Sequence, residues 1–258
     1  MNYSLKILYS GSTGNAAVLS AGNTSVLIDA GRSARALCTA LTAAGISPDS
    51  LSAIFITHEH HDHTAALEVF LKHHPIPVHA VNASAEKMAS RAADHLRNAL
   101  VSHPPLFTQT VGDMTFSSFP TSHDSVSSVG FRITINGEKP HTIGYATDLG
   151  IVTPAVKEGL TGCEAVVLEC NHDEEMLKTG PYPFDLKRRI ASRRGHLSNT
   201  DCATFCVHLA ANGMKRLLLA HLSEINNLPE LALGEVHAAL AGTTVHIAAA
   251  SPTNITEL

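Results

Sequence analysis

Short apolar runs broken by turn residues dominate the first half of the chain. Residues 5–10 predict a strand and SGSTGN a loop, followed by strands at 16–19 and 25–28 joined as a hairpin across Ala21, Gly22 and Asn23. Over 33–44 the apolar positions Leu37, Leu41 and Ala44 fall on one helical face, and Gly45 marks its end. A strand at 52–57 leads into a helix over 64–73, with Leu67, Phe70 and Leu71 at helical spacing. A short strand at 77–81 and a helix over 84–96 follow. Alternation at 114–119, 128–135 and 141–146 then predicts a meander that turns at Asn136-Gly137.

The second half alternates: helix 154–160, strand 165–169, helices around 186–194 and 201–211, strand 216–220, helix 229–240 and strand 244–248. Meanders interleaved with helices indicate an α/β protein of two sheets with helices outside them. At 258 residues with no internal linker, the expectation is one domain spanning 1–258. Asp29, His58, His123, Asp148 and His221 each follow a predicted strand end, so they can meet on one rim of the sheets.

Hydrophobic residues make up 44% and charged residues 16%, enough for a buried core. The net charge of -5 excludes a general polycationic surface, so any polyanion site must be local. Five cysteines without a CxxC pair argue for reduced, buried thiols, with Cys202 and Cys206 packed beside Phe205 and Leu209. The N-terminal residues do not read as a signal peptide, and no apolar run reaches the ~20 residues a bilayer requires, so a cytoplasmic protein without membrane contact is expected.

Against this background one segment stands out: ITHEHHDHT, residues 56–64, places four histidines and two acids in six consecutive positions. The helical HExxH pattern is excluded, because position 62 is aspartate rather than the second histidine. In a turn, His58 and His60 can face one point while Asp62 and His63 face another, so one segment can feed two metal ions. His123, Asp148 and His221 supply further ligands of suitable chemistry. Nitrogen and carboxylate donors without thiolate suit Zn, Mn or Fe.

These residues, in this order, resemble the five motifs of the metallo-β-lactamase-fold hydrolases. The resemblance implies an αβ/βα four-layer sandwich in which His58, His60 and His123 hold one metal, Asp62, His63 and His221 the other, and Asp148 bridges them. Asp29 would orient the histidine loop, and Glu59 and His61 would have no ligand role. More narrowly, SGSTGN, HEHHDH, LECNHD and GPYPFDLKRRIASRRGHLSN resemble the YycJ/WalJ branch, regarded as nucleases with double-stranded DNA exonuclease activity. His61 departs from the serine frequent there. The stretch between Asp148 and His221 is too short for the inserted domain of the β-CASP nucleases.

The implied chemistry is attack on phosphorus by a hydroxide shared between two metals, with Asp62 and His196 as the catalytic side chains and His196 protonating the leaving oxygen. Ser198 or Asn199 can cap the helix beginning near Asp201 and form an anion site. Ser12, Asn15, His172, Arg194, His196, Ser198 and Asn199 are the candidate substrate contacts. Lys187, Arg188, Arg189, Arg193 and Arg194 form a local basic cluster able to follow a DNA backbone. A hydrolase of a small phosphodiester or thioester, for which the acidic charge speaks, and a non-catalytic regulatory protein retaining its metals are the alternative readings.

Overall fold

A computed structural model describes residues 2–258. Two seven-stranded sheets face each other. In the first, β1 (Tyr3–Tyr9), β2 (Ala16–Ala21) and β3 (Thr24–Ile28) run antiparallel. They continue in parallel into β4 (Leu51–Phe55), β5 (Val78–Val81) and β6 (Leu100–His103). The second repeats this plan: β7 (Thr108–Val111), β8 (Met114–Pro120), β9 (Val129–Ile135) and β10 (His141–Ala146) are antiparallel. β11 (Ala165–Glu169), β12 (Arg216–Ala220) and β13 (His246–Ala249) then add in parallel. Strand β14 (Thr256–Glu257) returns to pair with β1.

Strand alternation builds the layers. Phe55, Phe116, Phe131, Ile133, Val167 and Leu218 point between the sheets and form the central core. The opposite faces of β4, β11 and β12 (Ile54; Val166 and Leu168; Leu217 and Leu219) meet the helices. On the first sheet these are α1 (Ala34–Ala43), α2 (His61–Thr64) and α3 (Leu67–His73), then α4 (Asn82–Ala89) and α5 (Asp94–Ala99). On the second they include α6 (Pro154–Leu160), α9 (Asn199–Ala211) and α10 (Pro229–Ala239). The result is the expected four-layer α/β sandwich.

Several local expectations are corrected. The helix expected over 84–96 is two helices, because the chain turns after Ala89 and Ala93 donates its amide to Glu68. The helix expected over 64–73 is likewise divided, with α2 starting at His61. Strands β6, β7 and β14 and the short helix α7 (Glu174–Thr179) were not foreseen. Around 186–194 only α8 (Phe184–Ile190) is helical. All five cysteines are free, but Cys38 is only partly buried. Among the described residues no helix is long and apolar enough to cross a membrane.

Candidate metal centre

The parallel strands of both sheets end at one rim, and three of the residues placed there stop their strands abruptly. Asp29, Asp148 and His221 adopt left-handed φ values of 61°, 58° and 56° directly after β3, after Thr147 beyond β10, and after β12. Aspartate and histidine tolerate that region better than most side chains, yet it costs about 1 kcal/mol or more at each position. These turns direct Asp148 and His221 toward one centre, with Asp29 buried behind His63.

There the imidazoles of His58, His60 and His123 bring ligand atoms within 4.8 Å of one another, as do Asp62, His63 and His221. Asp148 stands between the sets: one oxygen is 3.3 Å from Nε2 of His63, and the other is 3.6 Å from His221 and 3.8 Å from His123. Nε2 of His58, Nε2 of His221 and Oδ2 of Asp148 are buried and have no hydrogen-bond partner in the protein. Burying such atoms unpaired costs about 1–3 kcal/mol each, and divalent cations would satisfy them. The donor set is therefore suited to two metal ions.

The outer ring nitrogens are held by the surrounding protein. Nδ1 of His63 lies 2.8 Å from Oδ2 of Asp29, which also accepts from the hydroxyl of Thr57 just beyond β4, while Oδ1 accepts the Thr57 amide. Nδ1 of His123 lies 3.2 Å from the carbonyl of Gly195. Nδ1 of His221 lies 2.8 Å from Oε1 of Glu169. Glu169 was missed as a site residue although LECNHD was noted. A carboxylate closing the otherwise apolar strand AVVLE was the available signal. Its Oε1 also meets Nδ1 of His196 at 2.8 Å, while Oε2 accepts the amides of Leu149 and Leu197.

Electrostatics divide the centre in two. Burial lowers His58 well below the ordinary imidazole range, reinforced by neighbouring His63, and burial likewise lowers His123. On the other side burial opposes protonation of His63 and His221, but the carboxylates outweigh it: Asp29 and Asp148 raise His63, and Asp148 with Asp62 and Glu169 takes His221 up to about 10. Burial also opposes ionising Asp148 and Glu169. Histidine neighbours reverse this, holding Asp148 well below the carboxylate range and Glu169 at about 2. A cation here would take the place of the protons on the second set.

The remaining expected residues fall into three groups. Ser12 is exposed on the wall of a 180 Å³ cleft that His196 and the edge of the buried His221 also line, while His172, His196 and Ser198 line a neighbouring 480 Å³ cavity. Ser198 caps α9 by accepting the amide of Asp201. Asn15, expected to touch substrate, is instead buried, its amide 3.3 Å from Asp62 and 3.1 Å from His63, because the SGSTGN loop folds back onto the ligand segment. Asn199 points inward to Cys170 and Asn227 rather than to the cleft. Arg194 braces the loop carrying His123, donating to the carbonyls of His123 and Ser125. Of its basic neighbours, Arg189 pairs with Asp124 and Lys187 caps the carbonyl of Lys178, so the cluster is not a uniform stripe. Glu59 ties the same loop down through Val126 and Ser84, and His61 faces solvent.

Residues 24–222 match the model of the beta-lactamase superfamily domain, and the chain belongs to that family. It is 35% identical to the protein named exodeoxyribonuclease YycJ of Bacillus anthracis, over 90% of this chain and 87% of that one. It is 33% identical to exodeoxyribonuclease WalJ of Streptococcus pneumoniae, over 90% and 86%. Among solved structures, the metallo-beta-lactamase fold protein YhfI from Bacillus subtilis superimposes with a TM-score of 0.75 at 18% identity, covering 99% of both chains, which shows a common fold. By family and relatives together, the protein is an enzyme of the hydrolase class.

Proposed function

We propose that this protein is a dinuclear metal-dependent phosphodiesterase that degrades DNA from its ends. The observation that carries this reading is the pairing of two features: a donor set matched to two cations, and His196, from the RRGHLSN block, whose Nδ1 is 3.8 Å from Asp148. The relatives named exodeoxyribonucleases support the substrate class. In this reading His58, His60 and His123 would hold one ion, Asp62, His63 and His221 would hold the other, and Asp148 would serve both. Asp62, held well below the ordinary carboxylate range, stays ionised for that role: burial opposes this, but the neighbouring His221 and His63 imidazoles outweigh it.

When bound, such ions supply Lewis acidity toward the phosphate oxygens and lower the pKa of a coordinated water toward ~7, making a nucleophile at neutral pH. The chain's own part is to orient and to move a proton. Glu169 fixes the His196 ring by its Nδ1 and, against the effect of burial, favours its protonated form, so that His196 can give a proton to the leaving oxygen. Asp29 and Glu169, one from each sheet, set the rings of His63 and His221. Ser12 lines the entrance to the cleft.

The test compares substrates with Mn or Zn added: the purified protein should shorten end-labelled duplex DNA. Cleavage of nitrophenyl phosphodiesters or thioesters with DNA left intact would replace this reading by that of a small-molecule hydrolase. Full metal occupancy with no turnover of any of them would leave only the regulatory alternative.

A further inference from the structure

His196 has cavities on both of its sides. One is the cleft of the metal centre; the other is the 480 Å³ cavity between α7, α8 and the start of α9. Three features of the second have no part in holding metal. Phe184 stands at its mouth 73% exposed, the most exposed large apolar side chain among the described residues, with the Arg188 guanidinium 5.8 Å from its ring centre. His172 lies in its wall, 3% exposed, with Nδ1 buried and unpartnered. An isolated bridge between His172 and Ser198, with the amide of Asn199 on the His172 carbonyl, fixes the His172 backbone against the start of α9.

The chemistry of the cavity selects its occupant. Lys178, Lys187 and Arg188 are countered inside it by Glu174 and Asp201, so a bare polyanion is not suited to fill it. A neutral flat group carried between phosphates fits this lining: an exposed ring to stack on, and cations at the mouth for the flanking backbone. Aromatic stacking accepts any base and contributes about 1–3 kcal/mol per base. Because His196 lies between this cavity and the centre, what enters is the nucleoside attached to the leaving oxygen.

We propose that this cavity seats the nucleobase on the leaving-group side of the scissile phosphate, stacked on Phe184 with its edge toward the wall that His172 and His196 share. This rests on the phosphodiesterase reading of the neighbouring centre and extends it to a base-binding subsite.

The chain contains no tryptophan, so F184W introduces a single tryptophan at the stacking position, excited selectively over the four tyrosines. Zinc-loaded F184W is titrated with a short DNA bearing either a base or an abasic spacer at the nucleotide beyond the cleaved bond. Base-bearing DNA should quench the emission and abasic DNA should not. In parallel, F184A should lower kcat/KM on base-bearing DNA about 10-fold, as expected for one lost stack, and leave the abasic substrate unchanged. Equal quenching by both DNAs, or cleavage by F184A at the parent rate, overturns the subsite while leaving the phosphodiesterase reading intact. Failure of the parent to cleave any phosphodiester overturns both.

Discussion

Nδ1 of His221 and Oε1 of Glu169 lie 2.8 Å apart, both side chains buried, and the same oxygen meets His196 at the same distance. One carboxylate thus links a proposed metal ligand to the proposed proton donor. In Glu169→Gln the amide oxygen can serve the amides of Leu149 and Leu197 only by turning its NH2 toward both rings, where it cannot accept. The expected outcome is metal binding weakened by roughly 10- to 100-fold with the fold retained, read by competition with a chromogenic chelator alongside circular dichroism. Unchanged affinity would remove Glu169 from the site.

Gly31 couples the ligand segment to the SGSTGN loop by close approach. A Cβ there would lie 1.9 Å from the carbonyl oxygen of Asp62 and 2.5 Å from the amide nitrogen of Asn15, both backbone atoms. Gly31→Ala should cost about 1–3 kcal/mol of stability, as overpacking does, and weaken metal binding by moving Asp62. Gly234→Ala, in α10 with open space around it, should instead leave stability unchanged or raise it by up to about 1 kcal/mol. Chemical denaturation of the two variants separates these outcomes.

A second histidine pair sits away from the centre. Nδ1 of His79 is 2.8 Å from Nε2 of His103, and the two rings continue a stack with Phe55 and Phe107. Burial, then the neighbouring His103, lowers His79 to about 4, and burial lowers His103. The folded protein therefore binds fewer protons here than the unfolded chain between the unperturbed value of about 6.5 and pH 4. Stability from this pair is complete above that upper limit and is lost as pH falls toward 4, by about 1–2 kcal/mol after allowance for solvent near the pair. Thermal midpoints should fall less steeply over that window in His79→Phe than in the parent. Parallel profiles would show that the pair carries no such linkage.

Much of the fold was legible because its signals are local. Alternation in β8 and β9 and the apolar faces of α1, α6 and α10 depend on residues adjacent in sequence. Strands β6 and β7 escaped detection because edge strands expose half their residues, and LVSH and TQTV carry no apolar run. The break near Ala93 rests on Glu68, 25 positions away, and no window along the chain contains that contact. At the centre, residue types announced the candidate ligands, while the inward turn of Asn15 and Asn199 and the bracing by Arg194 depend on loops meeting in space. Glu169 is intermediate: its position at a strand end was readable, but its two histidine partners lie 27 and 52 positions away.

The central claim is that the ligand segment and its partners form a dinuclear centre for cutting DNA. Its most direct test is the Mn-dependent release of nucleotides from end-labelled duplex DNA by the parent, His60→Ala and Asp148→Ala, with bound metal counted in each. The account predicts two ions per chain and progressive shortening by the parent, with less metal and no detectable shortening by either variant. Degradation by Asp148→Ala at the parent rate, or no degradation by a parent carrying both ions, would contradict it.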